Sequence, residues 1–155
     1  MKSLVVYYSR TGNTKKVAED IARTLHCDIE EIKDEKKRKG FIGYMRSGRE
    51  AMRKQNITLS ELKNQPKNYE LVIIGTPIWA WTMSSPIRTF LEQYKADLPT
   101  VAFFSTSDSS PGEKTFSYMQ EVCGKQPTNT LSVTKKDLTT NNYQEQIKQF
   151  ISTLE

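Results

Sequence analysis

Three short, nearly continuous apolar runs constrain the fold of this chain more than any other feature. They occupy residues 4–8, 71–74 and 101–104, and each is rich in β-branched or aromatic side chains. Runs of this kind are typical of strands that are buried on both faces, as in a parallel sheet. A shorter run at residues 131–133 predicts a fourth strand. Residues 27–32 are interrupted by acidic side chains and predict a fifth strand at an edge.

Apolar stripes with helical spacing lie between the predicted strands. They cover residues 17–25, 87–94, 116–122 and 143–154, and a weaker helical pattern covers residues 42–55. Strands that alternate with helices predict an α/β protein, with helices on both faces of a parallel sheet. The length of 155 residues suits one domain that spans the whole chain.

Charge and hydropathy narrow the class of function. The net charge is +5, but nine basic and only three acidic residues fall between positions 33 and 54, so the basicity is local. A solvated basic face is a commoner cause of such a window than nucleic-acid binding, and we expect no nucleic-acid partner. No apolar run approaches the roughly 20 residues that a membrane span needs. The N-terminal residues also lack the pattern of a signal peptide, so we expect a cytoplasmic protein.

Side chains suited to acid–base, nucleophilic or metal chemistry are scarce. Cys27 and Cys123 form no metal-binding pattern, and neither begins a Cys-x5-Arg loop, so we predict two free thiols. The single histidine, His26, falls at the end of the first predicted helix, where a structural role at the helix terminus is expected. We predict no catalytic residue and no metal site.

Polar residues cluster between the first predicted strand and the first predicted helix. The segment reads Ser9-Arg10-Thr11-Gly12-Asn13-Thr14. A helix N-terminus carries partial positive charge and unpaired N–H groups, so hydroxyls and an amide placed there favour binding of a phosphate. Gly12 would let the backbone approach an oxyanion closely. The alternative is an ordinary helix cap formed by Asn13 or Thr11 alone.

Other phosphate motifs are missing, since the chain has neither GxxxxGK[ST] nor GxGxxG. The segment 9–14, placed between a strand and a helix, resembles the phosphate loop of the flavodoxin family. Residues 75–81 are similar to the flavodoxin loop that wraps the isoalloxazine ring, and residues 105–112 occupy the place of the second ring-binding loop. The resemblance implies a flavodoxin-like three-layer sandwich, with a five-stranded parallel sheet in the order 2-1-3-4-5 and flavin mononucleotide (FMN) as the cofactor.

The same resemblance implies which residues bind the cofactor. They are Ser9, Arg10, Thr11, Gly12, Asn13, Thr14, Thr76, Pro77, Ile78, Trp79, Ala80, Trp81, Ser105, Thr106, Ser107, Asp108 and Gly112. Trp79 and Trp81 alternate, so in an extended loop they would point in opposite directions, and at most one would stack on the flavin. Many flavodoxins place a tyrosine in the last of the three loops, but residues 105–112 contain no aromatic side chain. This departure predicts that one flavin face is more open.

The segment 40–49 has two interpretations. Phe41, Tyr44 and Met45 could cover one side of a flavin pocket, or the segment could belong to the second crossover helix.

Two functions follow from the resemblance. One is an electron carrier that uses non-covalently bound FMN and docks on redox partner proteins. The other is a small FMN-dependent reductase that passes electrons from NAD(P)H or a partner to a quinone-like acceptor. The basic net charge departs from the strongly acidic flavodoxin carriers, whereas the missing nicotinamide fingerprint favours the carrier. A scaffold that kept the fold without the flavin is a third possibility, and the oligomeric state is left open.

Overall fold

The structure is a computed structural model, and it describes residues 1–34, 57–140 and 142–155. In chain order its elements are β1 (Ser3–Tyr7), α1 (Asn13–Leu25), β2 (Asp28–Glu31), β3 (Leu71–Trp79), β4 (Thr82–Met83), α2 (Ser85–Tyr94), β5 (Thr100–Ser107), α3 (Glu113–Cys123), β6 (Thr130–Thr134), α4 (Lys135–Leu138) and α5 (Asn142–Ser152).

The main sheet is parallel and has the strand order β2-β1-β3-β5-β6. Val5 pairs with Ile73, and Ile73 pairs in turn with Ala102, so β3 lies between β1 and β5. The two-residue strand β4 pairs antiparallel with the end of β3 and does not extend the main sheet. Without β4 the order is the predicted 2-1-3-4-5, and the acidic strand β2 is at an edge, so both predictions are confirmed.

The alternation of side chains along β3 divides the core between two faces. Val72 and Ile74 belong to a cluster with α2 and α3, whereas Ile73 belongs to a cluster with α1 and α5. Both faces are therefore covered, which explains why the three central strands read as continuous apolar runs. At Gly75 a Cβ atom would lie only 1.9 Å from the tip of the Phe104 ring, so glycine leaves the space that this ring occupies against the strand.

Some elements differ from the prediction. The run at residues 71–74 is only the first half of β3, which continues to Trp79 and turns back into β4. The short helix α4 has no apolar stripe and was not predicted; Thr134 and Asp137 hold its first turn in a reciprocal capping box. The predicted helix 42–55 and the proposed cover by Phe41, Tyr44 and Met45 lie outside the described residues.

A buried carboxylate connects the first and last helices. The Tyr143 hydroxyl donates to Asp20 at 2.9 Å, and Arg23 and Lys16 donate to the same carboxylate at 2.7 and 3.2 Å. Burial of Asp20 opposes its ionisation, but these three hydrogen bonds outweigh burial and lower the pKa of Asp20. The ionised carboxylate is thus the form that the fold stabilises.

We predict that Tyr143→Phe lowers the free energy of unfolding at pH 7 by about 1–3 kcal/mol, because a hydrogen bond to a buried charge is lost. A depressed pKa stabilises the fold above the unfolded-state pKa of about 3.9 and loses this effect as pH falls through the folded-state value. Urea unfolding at pH 7 and pH 3 should therefore give a smaller loss at pH 3. Tyr94→Phe is the control, since it removes no contact with Asp20. An equal loss at both pH values would contradict this account.

Both cysteines are unbridged, as predicted. Burial, reinforced by the charge of Asp28, raises the pKa of Cys27 to about 11, and burial also raises the pKa of Cys123. Thiolates are the reactive form, so both thiols are poor nucleophiles near neutral pH.

We therefore expect slow alkylation of the native protein at pH 8, and faster modification of the half-buried Cys27 as the pH approaches 11. Mass spectrometry after a timed reaction with iodoacetamide measures this. The control is protein unfolded without reductant, in which both thiols should react. Rapid modification of Cys27 in the folded protein at pH 7 would show that its environment does not suppress the thiolate.

Candidate functional site

A cleft opens at the carboxyl edge of the sheet, where the chain leaves β1, β3 and β5. Its lining residues come from all three exits: Arg10, Thr11, Asn13, Thr14, Pro77, Ile78, Trp79, Thr106, Ser107 and Asp108. After β1 the chain moves to one side, to β2, and then returns to the other side, to β3. Ligands of open α/β sheets bind at such a reversal of strand order, beyond the carboxyl ends of the strands.

The loop after β1 places backbone hydrogen-bond donors at the start of α1. Gly12 is the N-cap of α1 with φ of 104°, a left-handed conformation that suits glycine, and its N–H donates to the Ser9 hydroxyl at 3.0 Å. The first helical hydrogen bond runs from the Lys16 N–H to the Gly12 carbonyl. The N–H groups of Asn13 and Thr14 precede it and have no acceptor within the helix.

The simple capping interpretation of this loop is wrong. Among the residues that the structure describes, no side chain caps α1, and the exposed side chains of Thr11 and Asn13 instead line the cleft. Free backbone donors, hydroxyls and a helix N-terminus therefore converge at one end of the cleft. This donor set fits an anion such as a phosphate.

Two buried hydroxyls join the start of α1 to the end of β5. The loop that follows β5 is the third loop of the cleft. The Oγ1 atoms of Thr14 in α1 and Thr106 in β5 lie 2.6 Å apart, and these residues are only 2% and 5% exposed. The helix N-terminus is thereby tied to the end of the strand from which the third loop departs.

The segment after β3 forms a hairpin and is not the extended loop that the sequence interpretation assumed. Trp79 pairs with Thr82, so Ala80 and Trp81 form a two-residue turn with φ of 49° and 63°. At its base the Thr76 hydroxyl accepts the N–H of Ser84 at 3.0 Å. Such turns normally use glycine or asparagine, so nothing in these residue types signalled a hairpin.

The two tryptophans have opposite environments. Trp79 is 5% exposed, lines the cleft, and meets Tyr8 edge to face with ring centroids 5.5 Å apart. Trp81 stands at the hairpin tip and is 70% exposed. The cleft therefore has an indole in its wall and another beyond its rim.

The loop after β5 folds back on β6. The Ser107 hydroxyl donates to the Ser110 carbonyl at 2.7 Å, and the Gly112 N–H donates to the Ser132 hydroxyl at 2.8 Å. A Cβ atom at Gly112 would lie 2.5 Å from the hydroxyl oxygens of Ser105 and Ser132. Gly112 and Ser105 are thus packed beneath the loop, while Ser107 and Asp108 line the cleft.

Not every predicted site residue lines the cleft. The predicted residues that are not part of its lining are Ser9, Gly12, Thr76, Ala80, Trp81, Ser105 and Gly112. Sequence reasoning missed Tyr8, Ser84 and Ser132, which support Trp79, Thr76 and Gly112. The position of Tyr8, directly before the polar loop, was a usable signal, but this residue was assigned to the strand. The partners Ser84 and Ser132 are set by tertiary contacts and have no local signal.

Within residues 1–34, 57–140 and 142–155, no group of three or more His, Cys, Asp or Glu side chains could hold a metal ion. Among the helices of this described part of the chain, none is both long and apolar enough to cross a membrane.

Comparison with known proteins identifies the family. The flavodoxin family model matches residues 2–154, so the chain belongs to the flavodoxin family. A flavoprotein from Lactobacillus acidophilus, solved in complex with FMN, is 27% identical over 84% of this chain and 92% of its own, with a TM-score of 0.73. A protein from Bacteroides uniformis is 25% identical over 97% of both chains, with a TM-score of 0.80.

A more distant structure supports the fold alone. The flavodoxin of Fusobacterium nucleatum is 10% identical over 99% of this chain and 97% of its own, with a TM-score of 0.60. Among curated proteins no significant match was found.

Proposed function

We propose that this protein binds FMN without a covalent bond in the cleft and carries electrons through it. The observation that supports this most is the donor set at the N-terminus of α1, because it opens into the same cleft as the hairpin and the third loop. The similar flavoprotein from Lactobacillus acidophilus was solved with FMN, which supports the same cofactor here. FMN supplies the redox chemistry when it is bound.

Each segment has a part in holding the cofactor. The hydroxyl of Thr11, together with the free N–H groups of Asn13 and Thr14, would bind the phosphate. Pro77 and Ile78 of the hairpin, with the buried face of Trp79, would line the side of the ring. Aromatic rings give large flat contacts at little cost in side-chain entropy, which suits a planar cofactor.

A small FMN-dependent reductase is the second candidate, and the third loop favours it. Residues 105–112 contain no aromatic side chain, and Asp108 and Ser109 are exposed. A ring without an aromatic cover on that side is accessible to a small quinone-like acceptor. In the carrier function the same open side would face a redox partner protein.

One experiment separates these functions. The absorbance spectrum of the purified protein tests for flavin, and NADH or NADPH oxidation with a quinone acceptor tests for a reductase. Bound FMN without turnover supports the carrier, and turnover supports the reductase. Protein that takes up no FMN after incubation with the free cofactor would refute both functions.

We predict that the protein prefers FMN to riboflavin, because only FMN carries the phosphate that the loop would recognise. Thr11→Ala should weaken FMN binding by about 1.5–3 kcal/mol, since a hydrogen bond to a charged group is lost. Quenching of flavin fluorescence during titration measures both affinities. Riboflavin is the matched control ligand and should bind the variant and the parent alike. Equal affinities of the parent protein for FMN and riboflavin would contradict the phosphate assignment.

We also predict that Gly12→Ala weakens FMN binding, whereas Gly124→Ala does not. Both glycines have positive φ, 104° and 72°, and a Cβ atom would meet nothing within 4 Å at either position. Both changes therefore introduce backbone strain of about 1–2 kcal/mol without a steric clash. Gly124 ends α3, away from the cleft, and serves as the control. Titration with FMN and thermal unfolding should show that both variants lose stability but only Gly12→Ala loses affinity.

A further inference from the structure

The hydroxyl pair of Thr14 and Thr106 has a hydrogen-bonding direction that the structure leaves open. Their Oγ1 atoms are 2.6 Å apart, and either one could be the donor. Both residues line the cleft, yet both are almost completely buried. A threonine hydroxyl has one proton to donate and two lone pairs to accept with. The direction of this one bond therefore decides what each hydroxyl can offer to a ligand.

The two directions differ in what they present to an anion. If Thr14 donates to Thr106, its proton is used, and it can offer a phosphate only lone pairs. If Thr106 donates to Thr14, the proton of Thr14 is free to be donated to a phosphate oxygen. An anion beside Thr14 therefore favours the second direction. In that direction both hydrogen bonds, from Thr106 to Thr14 and from Thr14 to the phosphate, point toward the negative charge.

We propose that Thr106 is a positioning residue for phosphate binding, acting through Thr14. Its hydroxyl donates to the Thr14 oxygen, so that the Thr14 hydroxyl donates to the phosphate. The inference rests on the proposed function, because it requires the loop after β1 to hold the phosphate of FMN. It adds the requirement that Thr106, in β5 directly before Ser107, carries a hydroxyl.

A purely structural link between α1 and β5 would have different consequences. Loss of such a link would loosen the cleft and weaken the binding of any flavin, with or without a phosphate. A donor that acts through Thr14 matters only when the ligand carries the anion. Selectivity for FMN over riboflavin therefore distinguishes the two roles.

The test uses the full chain with FMN and riboflavin as the titrated ligands. Thr106→Val removes the donor and keeps the branched shape, and Thr106→Ser restores the donor. We expect Thr106→Val to weaken FMN binding about three- to tenfold, because the Thr14 hydroxyl loses the neutral donor that directs its own proton toward the phosphate, with riboflavin affinity changed less than about twofold. Thr106→Ser should keep the affinity of the parent for FMN.

Thr14→Val provides the second arm. If Thr106 acts through Thr14, then adding Thr106→Val to Thr14→Val should cause little further loss of FMN affinity. Thr128→Val is the matched control, because the Thr128 hydroxyl donates to the carbonyl of Val101, at the opposite end of β5 from Thr106. It should leave the affinities for both flavins unchanged.

Each result of these titrations either supports or contradicts the role of Thr106. The inference would be overturned by equal losses of affinity for FMN and riboflavin, by no loss of affinity, or by additive losses in the double variant. None of these results would contradict the proposed function. A parent protein with no preference for FMN would instead overturn the phosphate assignment of the proposed function. If thermal unfolding shows that Thr106→Val does not fold, Thr106→Ala compared with Thr106→Ser gives the same comparison of donor lost and donor kept.

Discussion

The parallel pairing of β3 with β1 on one side and β5 on the other is the constraint on which the site depends. The register of these pairs brings Tyr7, the last residue of β1, level with Gly75 and Phe104, and β3 and β5 continue past this level to Trp79 and Ser107. The strand pairing therefore places the segments that follow β1, β3 and β5 at one edge of the sheet, whatever residues those segments contain. Gly75 contributes to the pairing of β3 with β5, because the Phe104 ring occupies the space that a side chain at position 75 would need.

The sequence predicted most of what is repetitive and little of what is irregular. The parallel strands and four of the helices follow from apolar periodicity, which burial on two faces imposes, whereas the order of the sheet followed from the resemblance to flavodoxins. The segment 9–14 was recognisable because a strand, a polar turn and a helix follow one another without interruption. The hairpin at Ala80 and Trp81 was not, because β4 has only two residues and the turn lacks the glycine or asparagine that usually marks one.

That hairpin carries backbone strain next to the cleft. Left-handed conformations at Ala80 and Trp81 cost about 1–2 kcal/mol each. The contacts that offset this cost lie at the base of the hairpin, where Met83 is buried and Thr76 bonds to Ser84. Strain held in place by surrounding structure is common where a side chain must be presented in one fixed way. Here the result is that Trp79 is turned into the cleft wall while Trp81 projects into solvent.

The arrangement separates the groups that would hold a cofactor from those that would meet an electron acceptor. The groups proposed to bind the cofactor lie at the N-terminus of α1 and on β3 and β5. The exposed groups, Trp81 and Asp108, lie on the hairpin tip and the third loop, and neither contributes to the core. In the proposed function, a change of acceptor would involve substitutions at this rim and not in the core. For the same reason, a small acceptor and a protein partner would both be selected at the rim, by contacts that the packing of the sheet does not restrict.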